Sequence, residues 1–119
     1  VTVKLILLKS GEDIIADVEE MVVNERVVGY FFNHPCRVKL IGNEVTHVGN
    51  KKLPFKMRLT PWMPLSKDQK IPVVTDWVVS IVEPLDELVE TYKSGVADYE
   101  KRKSEVVDFD EQPETDDSD

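Results

Sequence analysis

A single cysteine, Cys36, is all the thiol chemistry the chain offers. No disulfide can close within it, and the expected setting is a reducing cytoplasm. No run of eighteen apolar residues occurs, which excludes a spanning helix. Val1 to Leu8 is apolar, but no basic region precedes it and no small-residue cleavage site follows, so it is not expected to act as a signal peptide. Histidine is scarce. His34 and His47 have no cysteine or carboxylate at ligand spacing, and His34-Pro35-Cys36 is too compact for structural zinc. Cys36, in a half-apolar stretch, reads more readily as an inert core residue than as a nucleophile. There is no glycine-rich phosphate loop, nucleophile elbow or acid pair in a hydrolase context. The expectation is a protein that is not an enzyme and takes no metal or cofactor.

What is present suits one domain: 119 residues, 41% hydrophobic and 32% charged. The net charge of -8 is unevenly spread. Val1 to Val82 holds eleven Lys or Arg against nine Asp or Glu, while Glu83 to Asp119 holds four against fourteen. The body is therefore slightly basic and the acidity belongs to the end. The last stretch, DFDEQPETDDSD from Asp108, offers too little apolar surface to offset its ordering entropy and is expected to be a disordered acidic tail.

Val1 to Leu8 reads as a strand closed by the Ser10-Gly11 turn signal. Glu12 to Val28 is ambiguous. Ile14, Ile15, Val18, Met21 and Val22 lie at helical spacing, with Ser10 and Asp13 as a capping box. The dense β-branched residues and Asn24-Glu25-Arg26 between two valine pairs favour strand, turn, strand. Val27 to Ile41 continues as a strand that Pro35 bends or places on an edge. Gly42-Asn43 opens a polar loop extended by Gly49 to Lys52. Five prolines between Pro54 and Pro84 forbid a long helix there. Phe55, Met57 and Leu59 alternate with Lys56 and Arg58 as a half-exposed strand, and Ser66 to Gln69 reads as a turn. Val73 to Val82 reads as one strand with Val73, Thr75, Trp77, Val79 and Ile81 on a shared face. After Pro84, the stripe Leu85, Leu88, Val89, Tyr92, Val96 and Tyr99 predicts an amphipathic helix. It should cover the open end of a small barrel or a neighbouring chain.

Leu7-Leu8-Lys9-Ser10-Gly11-Glu12-Asp13-Ile14-Ile15-Ala16-Asp17-Val18 resembles the opening of an Sm motif, and Thr75 to Ile81 is similar to its closing strand. LLKSGEDIIADV, PWMPLSKDQKIPV and DWVVSIVEP together resemble Sm-like (LSm-like) proteins of marine cyanophages, over roughly Val1 to Lys103. The resemblance implies a mainly β fold with a strongly bent five-stranded barrel at 1–83, which the helix expected at 84–103 and the acidic tail expected at 104–119 follow. It also implies a closed homo-oligomeric ring that binds single-stranded RNA or DNA in the cytoplasm of an infected host. The Sm pocket residues themselves do not carry over. Their places fall near Val22 and Arg26, with Asn24 out of register, and Val74-Thr75 stands where the family has Arg-Gly.

Lys51, Lys52, Lys56 and Arg58, interleaved with Phe55, form the densest basic run and are candidates for tracking a nucleic-acid backbone, with Phe55 to stack a base. The alternative for them is a solvated loop and the polar face of an edge strand. Asn24, Arg26, Lys67 and Lys70 are candidates for loops facing a ring pore. Trp62, flanked by prolines, is a candidate exposed stacking or subunit-contact residue, whereas Trp77 in the valine run is expected in the core. A protein-binding scaffold, or a phage structural component without nucleic acid, stands as the alternative function.

Overall fold

Strand β1, Thr2–Leu8, turns at Gly11, whose φ of 89° suits glycine, into β2, Asp13–Val23. The two pair antiparallel, with Leu5 opposite Ile15 and Ile6 opposite Ile14. In this computed structural model, residues 2–41, 46–48, 51–53 and 56–105 are described. The strand, turn, strand reading holds. Asn24 and Glu25 have φ of 52° and 64°, the left-handed pair of a type I′ hairpin, and β3 follows as Arg26–Ile41. Glycine at the second turn position removes the penalty for positive φ. Glu25→Gly should therefore raise stability by up to about 1 kcal/mol, read from the midpoint of chemical denaturation.

Pro35 does bend β3, but in a central strand rather than at an edge. The β2–β3 register shifts between Ile15 and Asp17, and His34 takes φ of 50°. Proline cannot donate to the ladder, so the bulge finds partners elsewhere. The His34 N–H donates to Gln69 O at 2.7 Å, and Pro35 O accepts from the Trp62 N–H at 3.0 Å.

The bend splits the outer edge of β3 between two strands. Its second half pairs with β6, Lys56–Pro61, and its first half with β7, Lys70–Val74. Between β3 and β6, β4 (Thr46–Val48) and β5 (Lys51–Leu53) form a separate small antiparallel sheet, where a loop was expected. The expected single strand over Val73 to Val82 is broken. A 3-10 turn at Thr75–Trp77 separates β7 from β8, Val78–Val82, which pairs with β1. The result is a six-stranded antiparallel sheet in the order β6-β3-β2-β1-β8, with β7 alongside β3. It is not the closed five-stranded barrel expected: no hydrogen-bonded ladder joins β7 to β8 among the described residues.

The core is likewise double. Ile6, Leu8, Ile14, Ala16, Phe32 and Val73 fill one cluster, and Ile15, Leu88 and Tyr92 centre another on the opposite face. Fully burying side chains such as Phe32, Ile6, Leu8, Ile14 and Ile15 contributes roughly 1.5–3 kcal/mol each. Helix α1, Asp86–Glu105, covers the second face, with Leu88, Tyr92 and Val96 on Ile15, Leu5 and Leu59. Leu85, expected in the apolar stripe, is exposed instead. The two tryptophans exchange their expected roles. Trp62 is half-buried against the first cluster, 6.2 Å from the Phe32 ring, whereas Trp77 is 44% exposed on the 3-10 turn. Residues 106–119, most of the expected tail, lie outside the described residues.

Candidate nucleic-acid interface

Register, not sequence proximity, assembles a cationic face. In the antiparallel β3–β6 pair, Lys39 stands opposite Arg58, Arg37 opposite Thr60 and Ile41 opposite Lys56. Directly opposed residues share a face, so Arg37, Lys39, Lys56 and Arg58 project to one side of the ribbon, and all four are exposed. The other side carries Cys36, Val38, Met57 and Leu59, packed toward α1. Cations two residues apart on one strand stand about 6.6 Å apart, and opposed ones about 5 Å. Like charges placed opposite each other destabilise a sheet pair. The Lys39–Arg58 juxtaposition is thus a stability cost that a bound polyanion would relieve.

Among the described residues, Glu12 borders this face. Glu12 lies 4.0 Å from Arg37 Nε and accepts hydrogen bonds from Ser10 Oγ at 2.8 Å and from Trp62 Nε1 at 3.4 Å. It orients Arg37 and holds the indole at the margin of the basic row.

Of the basic run read from the sequence, Lys56 and Arg58 belong to this face. Lys51 and Lys52 lie on β5, opposite Val48 and His47, and their side chains, like the whole of Phe55, fall outside the described residues. Arg37 and Lys39 went unnoticed. The signal for them was present as the alternation of Arg37-Val38-Lys39, which matches that of Lys56-Met57-Arg58 across an antiparallel pair.

The four pore candidates do not converge. Asn24 and Arg26 flank the β2–β3 turn, whereas Lys70 pairs with Asn33, seven residues further along β3 and so about 23 Å away in an extended strand. Lys67 precedes Lys70 in the same connection. Lys70 is also engaged, with Nζ 3.2 Å from Glu19 Oε1 and 4.8 Å from the centre of the Phe31 ring. The Asn33 side-chain amide donates to Glu19 Oε2 at 2.9 Å, and this bond, with help from Lys70, holds the Glu19 carboxyl below its ordinary value. Among the described residues no group of His, Cys, Asp and Glu could hold a metal ion. Burial pushes the Cys36 thiol up, away from the thiolate a nucleophile needs. No helix among the described residues is long and apolar enough to cross a membrane.

Residues 1–97 match a family of unknown function, DUF6561, a span that runs from β1 into α1 and contains the whole basic face. The chain belongs to this family. No curated protein matches it.

Proposed function

We propose that this DUF6561 protein is an Sm-like module that binds single-stranded RNA or DNA along the β3–β6 face. The observation that carries the reading is the exposed cationic row with Lys39 and Arg58 directly opposed and Arg37 and Lys56 beside them. Backbone-tracking surfaces need such a row, with an aromatic residue near it, and Trp62 supplies one through Glu12. The order of the strands supports the Sm-like part. β7 and β8 are consecutive, are separated by one 3-10 turn, and pair with opposite ends of the β3-β2-β1 meander.

Assembly into a homo-oligomer is part of the same proposal. Among the described residues, β7 pairs only with β3 and β8 only with β1, leaving strand edges for another copy. Exposed Val22, Val23, Val27 and Val28 at the β2–β3 tip, with Val74 and Trp77 on the neighbouring β7 end, give such an interface apolar surface. That surface is also what favours the second reading, a protein-binding scaffold. Light scattering tests assembly, and a clean monomer at micromolar concentration would refute it.

Fluorescence anisotropy with oligo(U) and oligo(dT) across a salt series tests the ligand. Each phosphate neutralised on a single strand adds about 0.7 to the salt slope. The triple replacement Lys39→Gln, Lys56→Gln and Arg58→Gln should lower that slope by about 2 and weaken binding roughly ten- to hundredfold. Base preference should hardly move, because phosphate contacts carry no sequence information. Wild-type protein that binds neither oligomer at low salt would transfer the lead to the scaffold reading.

A further inference from the structure

Two cavities lie where α1 crosses the bulge of β3, and they differ in whether their polar groups are satisfied. The first, of about 200 Å³, is bounded by Cys36, Leu59, Pro61 and Tyr99. Its polar atoms already have partners: Gln69 Nε2 donates to the Tyr99 hydroxyl at 3.1 Å, and His34 Nε2 lies 3.1 Å from Glu100 Oε2. Nothing in it calls for a ligand.

The second cavity, of about 240 Å³, opens between β1, β2, the β3 bulge and α1 and is bounded by Val3, Asp17, His34, Tyr92, Lys93, Val96 and Ala97, His34 being the residue already paired with Glu100. That is far above the roughly 10–15 Å³ that admits a water molecule. Asp17 keeps Oδ1 buried with no hydrogen-bond partner among the described residues. A carboxylate only accepts, and an unmet buried acceptor is costly. The Tyr92 hydroxyl cannot relieve it in this geometry, since it donates to Asn33 O at 2.8 Å. Lys93 borders the same cavity and makes no ion pair among the described residues. Asp17 and Lys93 thus line one cavity without pairing with each other, and Val3, Val96 and Ala97 line it with small aliphatic surface.

We propose that this cavity binds a small aliphatic α-amino acid as a zwitterion. The ligand's ammonium group would be held by Asp17, its carboxylate by Lys93, and its side chain against Val3, Val96 and Ala97. Oδ1 is shielded from the open cavity, so its contact with the ammonium requires a turn about χ2, a broad torsion in aspartate. Charge-assisted hydrogen bonds at both ends select a zwitterion over a simple amine or acid. The site lies apart from the β3–β6 face and does not depend on nucleic-acid binding.

Titration of the full-length protein with L-valine, isobutylamine and isobutyrate, followed by amide NMR, tests the site. L-Valine is expected to shift the amides of Asp17, Lys93, Val96 and Ala97 at millimolar concentration, and each monofunctional probe to bind about tenfold or more weakly. Lys93→Gln, an exposed substitution that leaves the fold intact, should weaken L-valine about tenfold while leaving isobutylamine unchanged. Asp17→Asn should abolish capture of both ammonium probes. The proposal is overturned if L-valine shifts none of these amides, or if Lys93→Gln binds it as tightly as the wild type. A thermally stabilised Asp17→Asn protein that still binds L-valine would also overturn it, by showing that Asp17 is only a strained buried acid.

Discussion

Replacing Tyr92 with alanine should cost about 3–5 kcal/mol of unfolding free energy, the range for emptying a buried aromatic site. Against a typical total of about 5–15 kcal/mol, that is a large share of the stability. Tyr92 is 4% exposed and sits with Leu88 and Ile15 at the centre of the second core cluster. Its hydroxyl donates to Asn33 O beside the bulge, so one side chain ties α1 to the sheet through both packing and a hydrogen bond. Tyr92→Phe separates the two contributions and should cost only about 1 kcal/mol. Burial holds the Tyr92 hydroxyl well above its ordinary value. For an acid whose value is raised on folding, the unfolded chain loses its proton first. The associated stability is complete below about pH 10 and drains away as pH rises above it. Tyr92→Phe should therefore flatten the alkaline limb of the stability curve. Equilibrium denaturation across pH checks both results. A midpoint for Tyr92→Ala indistinguishable from the wild type would refute this account of how α1 is held. Because Val38, Met57 and Leu59 back the basic ribbon from the α1 side, loosening the helix should also weaken oligonucleotide binding without removing a single cation.

Gly29→Ala should destabilise by about 1–3 kcal/mol, for a steric reason that involves backbone alone. A Cβ at Gly29 would stand 2.8 Å from Val73 O and 3.5 Å from Val74 Cα. Neither atom can yield without opening the β3–β7 pair, in which Gly29 opposes Val74. Gly95 makes the contrast. A Cβ there meets nothing within 4 Å, and the residue lies inside α1. Gly95→Ala should stabilise by about 0.5–1 kcal/mol through helix propensity. Chemical denaturation of both variants, with amide exchange along β7, reads the difference. An unchanged midpoint for Gly29→Ala, with β7 still protected, would show that the strands are not so closely apposed.

Alternation and punctuation carried β1, the β2–β3 hairpin with its Asn24-Glu25 turn, the half-exposed β6 and the terminal helix, because each depends on neighbours a few residues away. The helical spacing of Ile14, Ile15 and Val18 has a tertiary explanation. Ile14 belongs to one core cluster and Ile15 to the other, so a strand buried on both faces loses the simple period of two. The break between β7 and β8 was invisible for a similar reason. Val73 to Val82 alternates without interruption, but β7 pairs with β3 and β8 with β1. The chain must turn at Thr75–Trp77 to reach the second partner, which shifts the phase and leaves Val73, Val78 and Ile81 on the core while Trp77 and Val79 face solvent. Charge followed the same division. Composition and order along the chain determined that the body is basic and that Lys56 and Arg58 alternate with apolar residues. Only strand register decided that Lys39 stands opposite Arg58 and that Lys70 is spent on Glu19, and only the packing of α1 on the sheet decided that Asp17 and Lys93 line one cavity, since such distances are set by contacts between residues far apart in the chain.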